Sequence, residues 1–180
     1  PVHQVIFEDV EVPAGSLVGK ENEGFKLIMH NLNAVRPVVA ARGIGLAAGA
    51  LMYWVEFAKS RQTFGRPIIE HQGLQWMAAD LAAEIEACRL LTYRAASLVD
   101  QGRVGRDVAH FLSMAKLKAT ELAVKASNDC LQMMGAVGYM EEYPMARFVR
   151  DARQLTIVEG TSQIQKGIIG RALADGILTW

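Results

Sequence analysis

Apolar residues recur every three or four positions along most of the chain, and only the N-terminal segment departs from that period. Residues 4–12, QVIFEDVEV, are rich in Val, Ile and Phe and read as one or two short strands. So few strands bury too little to stand alone, so the segment must pair with a sheet outside the chain or lie against helices. Pro13 to Gly19 is a turn-rich link. From about Glu23 the helical period takes over, with Phe25, Ile28, Leu32, Val35 and Val39 on one face and Ala-rich sequence continuing to about Lys59. Pro37 falls inside this helix and is expected to kink it or to start a new segment. SRQTFGRPII, residues 60–69, breaks the period with Gly65 and Pro67. A second helix spans about 71–101 on Leu74, Met77, Leu81, Ile85, Cys88, Leu91, Ala95 and Leu98, and Gly102 stops it. A third spans about 106–135, on a stripe of Val108, Leu112, Ala115, Ala119, Leu122 and Ala126. Its many alanines let a neighbouring helix approach closely. Gly135 and Gly138 end it, a short helix follows Pro144, and a last one begins at Thr161.

Three long helices with short links predict an all-α, up-down bundle. The wide apolar stripes and the unpaired strand segment predict contacts beyond one chain, hence a homo-oligomer. Length and composition change this picture little. The chain has 180 residues, 51% hydrophobic and 21% charged, which suits one domain with a small appendage. The formal net charge is zero, so no basic field points to nucleic acid or to an anionic membrane. No unbroken apolar run reaches about 18 residues, so no membrane span is expected. The start has no signal-peptide pattern and no Met, as at a cut or processed end. Cys88 and Cys130 lie inside helical patterns and read as buried free thiols of a reducing compartment. No CxxC, HExxH or ExxH spacing supports a metal.

Four stretches and the histidines carry candidate chemistry. Gly43-Ile-Gly45-Leu-Ala-Ala48 matches GxGxxA, but no strand precedes it and no βαβ unit surrounds it, so helix packing is the better reading. His3, His30 and His110 read as surface or satisfied core residues, whereas His71 opens a helix beside RQTFG. In RQTFG, residues 61–65, Arg suits a phosphate and Phe can cover an aromatic ring, though many loops combine such residues. LQMMGAVGY, residues 131–139, is either a plain helix stop or a place where a ligand approaches backbone. In IVEGTSQIQ, residues 157–165, Ser162 and Gln165 fit a capping box with Thr161 or Ser162 as the cap. Glu159 stands just before that helix N-terminus, behind Ile157 and Val158. It could serve the helix dipole, worth about 0.3–1 kcal/mol. The placement also suits a desolvated carboxylate, whose raised pKa would make it a better base.

Taken together, RQTFGRPIIEHQ, LQMMGAVGYMEEYPMARFVRDAR and IVEGTSQIQ, in that order and spacing, resemble the C-terminal domain of the acyl-CoA dehydrogenases. The likeness runs from the first residues to about Asp175, and QVIFEDVEVPAGSLVG resembles the end of that family's middle β-domain. The resemblance implies residues 1–20 as β-domain tail and linker and 21–180 as a C-terminal four-helix bundle. It implies FAD as cofactor, an acyl-CoA thioester as substrate, a homotetramer or dimer, and an electron-transfer flavoprotein as acceptor. Glu159 would be the base that removes the α-proton while a hydride leaves Cβ for the flavin. Some relatives carry the base at the position of Val35, which cannot abstract a proton. FAD contacts would fall to Arg61, Thr63 and Phe64 with His71 and Gln72 nearby, to Gln132, Gly135 and Ala136, and to Thr161 and Gln163. Asn33, Arg36 and Gly160 would lie along the substrate. Many relatives have Asp at Asn33 and several have Gly at Ala136. The location implied is cytoplasmic in a bacterium and the mitochondrial matrix in a eukaryote. Alone, the piece is expected to be inactive and to bind FAD weakly or not at all. Two alternatives are a non-enzymatic helical assembly module and an acyl-CoA oxidase-type flavoprotein.

Overall fold

Helix α1, Gly24–Ser60, runs 37 residues along the axis of the computed structural model, which describes residues 3–178. Its length and composition would let it cross a membrane. Here, however, its small residues Ala40, Gly43, Ala47 and Ala50 are buried in the bundle. Against it lies α3, Ala109–Met134, whose buried face is also rich in alanine. A Cβ on Gly43 would come within 2.7 Å of the Ala119 carbonyl oxygen, so the two backbones touch there. GIGLAA is therefore a packing surface and not a nucleotide fingerprint. Helix α2, Gln72–Asp100, returns antiparallel and completes a core around Trp54, Leu81, Leu112 and Met145, all fully buried. Cys88 and Cys130 are free and buried.

Pro37 does not start a new segment. The helix is continuous through it, and burial of Arg36, Pro37, Val39 and Ala40 offsets the lost backbone hydrogen bond. Residues 60–69 are more ordered than a loop. Strand β1, Gln62–Thr63, pairs antiparallel with β2, Arg66–Pro67. Both turn residues have positive φ, 52° at Phe64 and 78° at Gly65, as a tight two-residue hairpin requires. A 3-10 turn, Ile68–Glu70, buries Ile68 and leads into α2. The expected strands at residues 4–12 do not form. That segment is extended coil, with Val5, Ile6, Phe7 and Val10 each at least 60% exposed, because no partner strand is there to complete a ladder.

After α3 come a single turn, α4, Ala136–Tyr139; then α5, Met145–Leu155; then α6, Ser162–Ala174. Both α5 and α6 pack on α3. Among the described residues the architecture is all-α apart from the hairpin, with α1, α2, α3 and α6 as the bundle.

Candidate functional site

The connection between α5 and α6 has its shape imposed from inside the protein. Glu159 and Gly160 take consecutive left-handed conformations, φ 55° and 89°. Glycine adopts this freely, whereas a non-glycine residue held there costs about 1–3 kcal/mol. Thr161 then turns extended and caps α6, its Oγ1 accepting from the Ile164 N–H at 3.3 Å. The expected Ser162–Gln165 box is not formed, because Gln165 is drawn the other way. Its fully buried carboxamide Nε2 donates to the carbonyls of Gly160, at 3.0 Å, and Glu159, at 3.3 Å. From α3 the Lys116 ammonium, also fully buried, donates to the carbonyls of Leu155 and Gly160, both at 2.8 Å. Burial, with Arg36 as a second nearby cation, pushes Lys116 down to about 8, while Glu159 and Glu121 pull it back up.

The Glu159 side chain is exposed. The dry environment expected for it is absent, because no element of the described chain lies over it. The loop's backbone is free as well as fixed: among the described residues the Glu159 N–H has no acceptor. Beside the loop, Gln163 and Ile164 border a cavity of ≈ 560 Å³, whose other walls include Met29, Asn33 and His110. A smaller one of ≈ 230 Å³ is bordered by Thr156, Ile157, Thr161 and Gln163. Glu159 borders neither cavity.

Asn33 and Arg36 are committed inward. Asn33 Nδ2 donates to the Val104 carbonyl at 2.7 Å, and Arg36 donates to Asn33 Oδ1 at 2.6 Å. Arg36 is only 2% exposed, so it reaches the surface through Asn33 and offers no guanidinium face to a ligand. His110 lies in the core but is not fully satisfied. Its Nδ1 has no partner among the described residues, its ring tilts onto Phe111, and burial pushes its pKa down.

The other candidate residues stand at the opposite end of α1, which rises about 37 Å between Arg36 and Arg61 at 1.5 Å per residue. Arg66 Nε donates to His71 Nδ1 at 3.3 Å, so the ring proton sits on Nε2, which donates to Thr63 Oγ1 at 3.0 Å. Phe64 meets the His71 ring edge-on and is otherwise 97% exposed. Arg61 and Gln72 are exposed. Gln132, Gly135 and Ala136 are exposed at the end of α3, and nothing lies within 4 Å of where a Gly135 Cβ would be. The structure thus joins Glu159, Gly160, Thr161 and Gln163 at one end. It joins Arg61, Thr63, Phe64 and His71 at the other, and leaves 132–136 as a separate edge. Lys116 and Gln165 were missed as functional residues. A lysine on the same buried stripe as Leu112 and Ala119 was the available signal.

The described residues form an all-α helical bundle apart from one two-residue hairpin. The family is fixed by comparison: the acyl-CoA dehydrogenase C-terminal domain profile matches residues 22–174. The chain is 44% identical over 170-odd residues to an acyl-CoA dehydrogenase of Bacillus subtilis, covering 96% of this chain and 45% of that protein. It is 42% identical to a cyclohexane-1-carbonyl-CoA dehydrogenase of Geobacter metallireducens, covering 94% and 44%. Butyryl-CoA dehydrogenase from Megasphaera elsdenii superposes with a TM-score of 0.89 at 38% identity, covering 94% and 43%. The chain belongs to the acyl-CoA dehydrogenase family, as its C-terminal domain, and spans less than half the length of these relatives.

Proposed function

We propose that this chain is the base-bearing and assembly-forming part of an FAD-dependent acyl-CoA dehydrogenase, with Glu159 as the base. The observation that carries the reading is the pre-shaped loop: a carboxylate on a strained backbone, a free N–H on the same residue, and a capped helix N-terminus directly behind them. The residues also fit the cofactor. The hairpin presents a guanidinium and a phenyl ring that is 97% exposed, next to a histidine whose protons are already assigned. These suit a pyrophosphate and a flat ring. Thr161 and Gln163 offer polar groups at the other end.

FAD, when bound, supplies the acceptor for the hydride that leaves Cβ. Glu159 takes the α-proton onto its carboxylate, and the two departures leave a Cα=Cβ double bond. The α-proton of a thioester is far too weakly acidic for a carboxylate unless the carbonyl oxygen's developing charge is met by a donor. The free Glu159 N–H can be that donor. Gly160 lets the substrate pass close to the backbone, and Asn33, steadied from below by Arg36, lies toward the same end. Dryness around Glu159 must come from parts outside this chain, such as the middle domain of the full-length relatives.

The separation of the two groups of candidate contacts supports assembly. One small cofactor cannot touch both Arg61 and Thr161 of one chain across the length of α1, so the hairpin serves the flavin of a second copy. The reduced flavin needs an acceptor for two electrons, and the family resemblance points to an electron-transfer flavoprotein. The test is turnover of acyl-CoA with a dye acceptor by the full-length protein: Glu159→Gln should lower it about 10²–10⁴-fold with flavin retained. A fully active variant removes Glu159 as base. Rapid reoxidation of the reduced flavin by oxygen would identify an oxidase instead. The isolated chain titrated with FAD should show weak binding or none, and stoichiometric flavin would refute that part.

A further inference from the structure

Lys116 is an unusual residue to find where it is. It sits mid-helix on the face of α3 that otherwise carries Leu112, Ala115, Ala119 and Ala123, and it is fully buried. Among the described residues no carboxylate bonds it. Both of its bonds go to backbone carbonyls at the two ends of one short segment, Leu155 and Gly160. Burying an ammonium this way is costly unless the bonds are good, and its pKa is accordingly lowered by burial. A hydrophobic residue of similar length would fill the same space without that cost. The segment it spans contains the left-handed Glu159–Gly160 pair. From α6, Gln165 donates to the Glu159 and Gly160 carbonyls, so the Gly160 oxygen accepts from two fully buried side chains on two different helices.

We infer that Lys116, with Gln165 as its second arm, is a positioning residue that holds the Glu159–Gly160 backbone in its left-handed form and so aims the Glu159 carboxylate and N–H at the substrate. This rests on the reading of Glu159 as the base. The two donors over-determine a conformation that the glutamate backbone would otherwise relax out of, because a single left-handed non-glycine residue reverts once its restraints are removed. Small displacements of a base are expensive. A misplacement of about 1 Å costs on the order of 10²-fold in rate. Neither arm need touch substrate or flavin to have this effect.

The test uses the full-length, flavin-loaded enzyme and compares Lys116→Met with Glu159→Gln and wild type. Met keeps the length and apolar stem and removes every donor. Turnover per bound flavin should fall roughly 10- to 100-fold in Lys116→Met, with KM changed less than about threefold. The primary isotope effect on kcat with α-deuterated acyl-CoA should rise, because proton removal becomes slower relative to other steps. A purely structural lysine would lower the melting temperature or the flavin-loaded fraction but leave turnover per flavin and the isotope effect unchanged, and that result overturns the inference. Should Lys116→Met not load flavin, Gln165→Met removes the other arm while the charge stays, and the same readouts decide. An active Glu159→Gln would instead overturn the base assignment, which separates the two failures.

Discussion

The two ends of α1 are built on opposite principles. At the Glu159 end, polar groups from α3 and α6 converge from within, and the loop between α5 and α6 is fixed before any ligand arrives. At the hairpin end, Arg61 and Phe64 project outward from a two-residue turn, and the hairpin's own side-chain bonds are only those joining Thr63, Arg66 and His71. One end is organised by its own chain; the other leaves Arg61 and Phe64 exposed. Proton abstraction tolerates little misplacement, and on the proposed reading an internal clamp under Glu159 meets that need. On the same reading, a cofactor contact that crosses between copies needs only reach and charge, which a surface hairpin supplies.

Substitutions at each end should therefore fail in different ways. Short of removing the base itself, Gly160→Ala should have the largest effect. Its Cβ would lie 2.7 Å from Gln165 Nε2 on a backbone at φ 89°, so one arm of the clamp must give way. Turnover per flavin in the full-length enzyme is expected to fall about 30- to 100-fold at near-normal flavin content. Arg61→Ala at the other end should do the reverse. Flavin affinity falls about 10- to 100-fold, as expected for a lost charge-assisted contact, while turnover at saturating FAD stays near wild type. If the two variants gave the same pattern, the division between the ends would collapse. Gly43→Ala tests the frame that holds the ends apart. Pushing a methyl to within 2.7 Å of the Ala119 carbonyl should cost about 1–3 kcal/mol of stability with both kinds of ligand contact otherwise intact.

The smallest effect is on pH dependence. Lys116 titrates near 8 in the folded chain, below its ordinary value of 10.5. Between those two pH values the unfolded chain holds a proton that the folded chain has released, so this group makes the fold more stable as pH rises through that window. The increment is fully present above the unfolded value and is lost as pH falls to about 8. Lys116→Met should lack it, which melting curves from pH 7.5 to 10 would show as a flatter profile. Wild-type turnover should weaken over the same range, because a neutral amine makes poorer hydrogen bonds to the two carbonyls than an ammonium does.

Much of the fold was legible because the helical period is long and unbroken. The stripes through Leu81 and Ile85 in α2 and through Leu112 and Ala119 in α3 are buried as that period requires. At Pro37 one of the two expected outcomes, a new segment, does not occur, because packing carries the helix through a residue whose local propensity is to break it. At residues 4–12 Val, Ile and Phe favour strands, but a strand needs a partner, and among the described residues nothing pairs with this segment, in keeping with the expected sheet outside the chain. In the site, the IVEGTSQIQ motif pointed to a helix N-terminus behind an acid, and Thr161 does cap α6. The clamp under it was not legible. Lys116 and Gln165 meet the loop from α3 and α6, and their roles exist only once those helices are packed. The exposure of Glu159 was equally hidden, because it depends on what stands opposite the loop.

The central claim is that Glu159 removes the proton. Anaerobic mixing of the full-length, flavin-loaded enzyme with saturating acyl-CoA tests it in a single turnover. Wild type should lose its oxidised-flavin absorbance as substrate is dehydrogenated, whereas Glu159→Gln should bind the same substrate and keep its flavin oxidised over that time. Bleaching at the wild-type rate in Glu159→Gln would contradict the account.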